Sequence, residues 1–313
     1  MTTLELHPRL LSGVRLASTL TPAPPLIRQL MQSTLADALG GGSEEAPPAR
    51  IDDGLFGPSS ASWRLLSDIA ALPAGLLALL VQTQHPIVMS AVAQNSVFRE
   101  DPLGRLRRTA GFVGEVTCGD TATALRAVDI VRSVHARISG LHLGREWRSD
   151  DSDLVDWVHC SLVESLLACD RAYAARPLVG SERDQFVAEQ ALVAEMLGDL
   201  DPPRSARALR DRMDEFAPQL AVGDDAREAL VFLRRPPLPA GMAAAYPVLW
   251  HAAVAAMHRG HRERLGLCRP PLARSASVGS LALLRACIGT APIERSDEIS
   301  DDYTGSGTMG VTV

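Results

Sequence analysis

The stretch Asp153-Leu-Val-Asp-Trp-Val-His-Cys-Ser-Leu-Val-Glu-Ser-Leu-Leu-Ala-Cys-Asp-Arg-Ala-Tyr173 decides the fold class. Leu154, Trp157, Val158, Leu162, Ser165, Leu166 and Cys169 recur at steps of three and four, the spacing of one helical face, with no glycine or proline between them. The same period continues outward in both directions. Upstream, a helix runs from Thr121 to Ser139 and stops at Gly140, and Gly119-Asp120 separates it from another that starts at Asp101-Pro102 and reaches about Thr117. Before these come a short apolar helix from Pro86 to Phe98 and a helical run Leu76–Gln84. A first helix through Trp63, Leu66 and Ile69 is capped by Ser59-Ser60, and Pro73 and Gly75 are expected to interrupt the chain after it. Downstream, helices are expected at Ser181–Leu197, Ser205–Phe216, Asp224–Leu233 and Gly241–Leu265. Nothing alternates convincingly with period two. The expectation is an all-α fold, a single domain of about eight or more helices over residues 54–291.

The flanks read differently. Residues 1–53 hold a weak amphipathic stretch, Leu26–Leu39, then a glycine run and Glu44-Glu-Ala-Pro-Pro48, which reads as an extension and linker. Residues 292–313 are acidic and then rich in Gly, Ser and Thr, the composition of a flexible tail.

With 313 residues, 46% of them hydrophobic and 22% charged, the chain can bury a large core. Its longest apolar runs, such as Leu76–Val81, fall far short of the roughly 18 residues a membrane span needs. A net charge of −6 argues against a general nucleic-acid binder. There is no lysine, and all 31 basic residues are arginine. Schiff-base chemistry, a pyridoxal-phosphate lysine and a P-loop lysine are thereby excluded. Cys118, Cys160, Cys169, Cys268 and Cys287 are scattered with no Cys-x-x-Cys pair, which disfavours a zinc or iron–sulfur site. Arg9, Arg15 and Arg28 are not followed by a continuous apolar stretch, so the N-terminus does not read as a secretory signal and a cytoplasmic protein is expected.

Among the eight histidines, His7 carries no signal, and His258 and His261 sit among Arg259, Arg262 and Arg264 as a solvated face would. His251 reads as a core histidine. His135 continues the stripe Ala124, Val128, Val131, which aims its imidazole at the core, either as a satisfied core group or as a ligand to iron. His159 lies at the margin of the decisive helix beside Trp157. Arg105, Arg108, Thr109 and Phe112 are spaced i, i+3, i+4, i+7 and share one face, either a solvated basic face or a clamp for the carboxylates of a cofactor. The motifs GxSxG, GxGxxG and HExxH are absent, and Asp150-Asp-Ser-Asp153 reads as a polar turn and helix cap.

Six segments in order carry a resemblance. They are Gly54-Leu-Phe-Gly-Pro-Ser-Ser-Ala-Ser-Trp-Arg64, Gln84-His-Pro86, Phe98-Arg-Glu-Asp-Pro-Leu-Gly-Arg-Leu-Arg-Arg-Thr109, Gly119-Asp120, Val134-His-Ala-Arg-Ile-Ser-Gly140 and Asp156-Trp-Val-His-Cys-Ser-Leu-Val-Glu-Ser165. Together the chain from about Gly54 to Leu238 resembles the MpaB/rubber-oxygenase family, which includes the latex-clearing proteins. The resemblance implies helices enclosing a pocket for non-covalent haem b, with His135 at the position of the axial iron ligand. It places the family's Arg-x-x-Lys-Thr motif on Arg105, Arg108 and Thr109; Phe112, which shares their face, and His159, the reserve ligand candidate, complete the cofactor-binding candidates. The sequence departs from the family in two places. Arg108 stands where the family has lysine, and no acidic residue occurs between Pro86 and Phe98, where rubber oxygenases have a pocket glutamate. Both departures point away from polyisoprene cleavage.

The expected function is a haem-dependent oxidase or oxygenase, or a peroxygenase, using dioxygen or peroxide on a small, mostly apolar intracellular substrate such as secondary metabolism offers. Arg105, Arg108 and Thr109 are then its catalytic candidates. A haem sensor or carrier without turnover, and a metal-free helical interaction protein, are the alternatives.

Overall fold

In the computed structural model, residues 50–95, 102–238, 240–269 and 272–288 are described. The stretches 1–53 and 292–313, assigned above to linker and tail, lie almost wholly outside them. The order is α1 (Ala61–Leu66), α2 (Ala71–Gln82), α3 (Pro86–Asn95), α4 (Pro102–Cys118), α5 (Thr121–His135), β1 (Ser139–His142), β2 (Arg145–Arg148), α6 (Ser152–Tyr173), α7 (Ser181–Leu197), α8 (Ala206–Phe216), α9 (Asp224–Arg234), α10 (Ala240–Ala256), α11 (Arg259–Arg264) and α12 (Ala273–Ile288). The fold is all-α apart from one two-stranded antiparallel hairpin.

The expected cap at Ser59-Ser60 forms through Ser60, and Asp120 and Ser205 cap their helices in the same way. Ser60 Oγ accepts from Trp63 N, Asp120 Oδ1 from Thr123 N at 2.9 Å, and Ser205 Oγ from Ala208 N. Pro73 and Gly75 do not interrupt α2 as expected. Pro73 falls in the first turn, where a helix has no partner for its N–H in any case. The expected Gly241–Leu265 helix is two helices, broken at Met257-His258, and α12 was not anticipated at all.

The main core forms where α2 crosses α6, with α1, α7, α8, α10 and α12 packed around them. Leu77, Leu80, Trp157, Val163, Phe186 and Val187 are fully buried there. The decisive helix is wrapped nearly all round. Val155, Asp156, His159, Cys160 and Ser161 are buried as well as the expected stripe, while Val158, placed on that stripe, is exposed. Its polar residues are served locally: Ser165 Oγ donates to the Ser161 carbonyl at 2.7 Å and Ser161 Oγ to the Val158 carbonyl at 3.0 Å.

Two smaller apolar clusters lie beside this core and frame the site. Val116, Ala127, Val128 and Val193 join α4, α5 and α7, with Phe112 packed against them. Ile87, Trp147 and Leu154 join α3, the hairpin and the start of α6. The helix expected to reach Ser139 ends at His135, and the hairpin follows instead. Gly140 makes the hairpin possible. A Cβ there would sit 2.4 Å from Trp147 Cζ2, so only glycine lets the buried indole lie across the partner strand.

Candidate active site

The site is built on the antiparallel pair α4–α5 and its tight corner at Gly119-Asp120. The N-terminal strap Arg50–Gly57 is stapled to that corner. Asp52 Oδ1 accepts from both Gly54 N and Thr121 N at 2.8 Å, and these bonds hold its carboxyl below the usual carboxylate range. Gly54 adopts φ +69 and approaches the corner so closely that a Cβ on it would lie 2.1 Å from the Gly119 carbonyl oxygen. The corner fixes the register of the two helices. Arg105 and His135 each lie about fifteen residues from it, roughly 22 Å along their respective helices.

His135 is the last residue of α5 and is half-buried. It ends the Ala124–Val128–Val131 stripe rather than sitting in its middle. Its Nδ1 is buried and makes no hydrogen bond. Burial lowers its pKa, with Asp150 pulling the other way, so the neutral ring is favoured. The turn behind it is held from the hairpin. Arg148 pairs with Asp150 through Nε and Nη2, and the same Nη2 donates to the Ala136 carbonyl at 3.1 Å.

The arginine face of α4 divides. Phe112 turns inward onto the Val116–Val128–Val193 cluster, Arg108 is half-buried, and Thr109 is exposed. The side chain of Arg105 lies outside the described residues.

His159, on α6, is buried, and its Nε2 also makes no hydrogen bond. Burial alone pulls its pKa down to about 4, so the ring is neutral at physiological pH.

Sequence reasoning missed His85. It precedes α3, its Nδ1 accepts from Val88 N at 3.4 Å, and its ring stacks 5.8 Å from Trp157 and 6.4 Å from Phe216. Because Nδ1 accepts, Nε2 carries the proton in the neutral ring, and the Gln219 amide lies close enough to act on it without forming a well-aligned hydrogen bond. Burial lowers its pKa, opposed by Asp153 and the Gln219 amide. The signal was present in the Gln84-His85-Pro86 turn, which reads as a helix terminator. His261 was misread as well. It is buried, with Nδ1 3.1 Å from Gln84 Oε1 and Nε2 3.6 Å from Glu164, while His258 and His251 are exposed. Gln84 Oε1 also accepts from Arg264 Nη1 at 3.1 Å, so this part of the arginine-rich segment faces inward.

His135 and His159 each offer, on a helix, a buried and neutral imidazole nitrogen with no hydrogen-bond partner among the described residues. Among the described residues, no group of three or more His, Cys, Asp and Glu converges as a chelating metal site would require. Chemistry here depends on single donors, not on a carboxylate–histidine cage. No curated protein and no solved structure matches the chain. Residues 63–290, well over half of it, match the family model described as "ER-bound oxygenase mpaB/B'/Rubber oxygenase, catalytic domain". The chain therefore belongs to the mpaB/rubber-oxygenase catalytic-domain family and is an oxygenase domain by descent.

Proposed function

We propose that this oxygenase is haem-dependent and acts on a small, mostly apolar molecule with dioxygen or peroxide. The observation that carries the reading is the buried Nδ1 of His135, which makes no hydrogen bond among the described residues. The donor set fits haem. A porphyrin would bring its own four nitrogens and need one donor from the protein, which the neutral imidazole of His135 would supply, whereas a bare metal ion would need the chelating cluster that is missing among the described residues. When bound, the haem supplies the iron that takes up the oxidant and the electrons of the oxidation.

The chain's own residues do the rest. His135 holds the iron side of the pocket, and the Arg148–Asp150 pair holds the turn that carries it. Arg105 anchors carboxylates. Arg108 and Thr109 offer hydrogen-bond donors without the lone-pair nitrogen of a lysine. Phe112 and its cluster exclude water from the α4–α5 side. His159, kept neutral, is the reserve donor. A carrier without turnover is the second reading, favoured by the lack of any carboxylate in α3.

The test is the purified protein's spectrum and haem content. A Soret band is expected, with most of it lost in His135→Ala and retained in His159→Ala. Full haem content with an unchanged spectrum in His135→Ala would overturn the ligand assignment. Steady-state oxidation with oxygen or peroxide separates the oxygenase from the carrier.

A further inference from the structure

Charge is distributed unevenly along the chain. Residues 229–293 contain eight arginines and one acid, Glu263, a net +7, so the rest of the chain carries −13 to reach −6 overall. Four of these arginines are engaged by neighbouring residues. Arg285 binds Asp68 and the Tyr173 carbonyl, Arg264 binds Gln84, Arg262 binds the Met257 carbonyl, and Arg259 pairs with Glu263. The other four, Arg234, Arg235, Arg269 and Arg274, are exposed and form no ion pair among the described residues.

Each pair of them lies beside a contact made by α10. The Tyr246 hydroxyl donates to the Leu233 carbonyl, next to Arg234 and Arg235. The Tyr173 hydroxyl donates to the Ala252 carbonyl at 2.8 Å, and Arg274 and Arg269 both act electrostatically on that phenol. Six residues of α10, about 9 Å of helix, separate the two anchor points. Apolar side chains interleave with the charges. Leu272 is 80% exposed, Val231 73%, and Val278 44%, and Ala243, Ala244, Ala245 and Pro247 are exposed on α10 itself. Leu272 also adopts φ +66, a left-handed conformation that disfavours any residue with a side chain. An exposed leucine held in that conformation between two unpaired arginines is costly in water.

We propose that this face docks on a bilayer surface rich in anionic headgroups. Among the described residues no single helix is long and apolar enough to cross a membrane, so the contact is peripheral. A polyanion such as nucleic acid would use the arginines and leave the leucine and valines in water. An anionic lipid surface takes both, the guanidinium groups at the headgroups and the apolar side chains just beneath. The inference rests on charge and exposure and is independent of the haem reading.

The experiment is co-sedimentation of the full chain with vesicles of phosphatidylcholine alone, or with about one-third phosphatidylserine, at low and high salt. Binding is expected only with phosphatidylserine and is largely lost at high salt. Arg269→Ser/Arg274→Ser is expected to weaken it about 25-fold, at roughly fivefold per charge. Leu272→Ser/Val278→Ser should weaken it while leaving binding to heparin unchanged. Arg126→Ser/Arg132→Ser on α5, exposed and equal in charge change, is the control and should bind like the parent. Absence of binding to the anionic vesicles at low salt would overturn the proposal, as would an equal effect of the control pair. If the leucine–valine variant were indifferent, the face would be a polyanion site and not a lipid one.

Discussion

Replacing His159 by leucine should change how the protein's stability responds to acid. In the folded chain the imidazole is buried, and burial lowers its pKa to about 4 from an ordinary 6.5. A group depressed in the folded state contributes stability that is fully present above about pH 6.5 and is lost as the pH falls toward 4. At about pH 5 an unfolded histidine at 6.5 has gained roughly thirtyfold in protonation over the unionised form. The folded one has barely begun to titrate, so the difference is worth about 2 kcal/mol, against almost nothing at about pH 7.5. Urea unfolding of parent and His159→Leu at these two pH values measures it. The parent should lose about 2 kcal/mol more than the variant between them. The absolute stabilities also depend on how leucine packs, but the difference of differences does not. Equal acid sensitivity in the two proteins would mean that the buried Nε2 has found a partner, and His159 would cease to be a neutral free donor.

Asp199 should behave in the opposite sense. Burial raises its carboxyl to about 6, and its Oδ2 lies buried and unbonded near Asp156. A raised carboxylate costs stability above its folded pKa, so Asp199→Asn should stabilise the protein by about 1–3 kcal/mol near pH 7.5 and by little near pH 4, read by the same unfolding assay. Gly140→Ala puts a Cβ 2.4 Å and 2.8 Å from the Trp147 ring and should cost about 1–3 kcal/mol; an unchanged melting temperature would show that the hairpin gives way freely. If haem is bound as proposed, a guanidinium at Arg108 has no lone pair to offer iron, so electron paramagnetic resonance of the ferric protein should be mainly high-spin. A dominant low-spin signal would assign a second protein donor, with His159 first in line.

The parts of the fold legible in the sequence are those governed by local signals. Ser60, Asp120 and Ser205 cap helices within three residues of themselves, and α7 begins and ends where its period does. The hairpin escaped notice because only Trp147 of its eight strand residues is buried, too few for an alternation to emerge. α12 escaped because its buried face is mostly alanine and serine around a single deeply buried Leu281. The site was half legible. His135 follows from its stripe, but His85 and His261 are buried by partners far along the chain: Trp157 for one, Gln84 and Glu164 for the other. No local window contains such partners, so an arginine-flanked histidine reads as solvated even when it is not.

The closeness of Gly54 to Gly119 bears on how this domain tolerates change. A methyl group at position 54 cannot be accommodated without lifting the strap from the corner, and the corner joins the helix of Arg105 to the helix of His135. The most sensitive positions in a saturation scan for oxygenase activity should therefore include a residue with no side chain, some eighty positions upstream of the histidine whose placement it guards. Inheritance of the site is thus carried partly by backbone that never touches substrate, and a search for relatives keyed only to the histidines and arginines would pass over it.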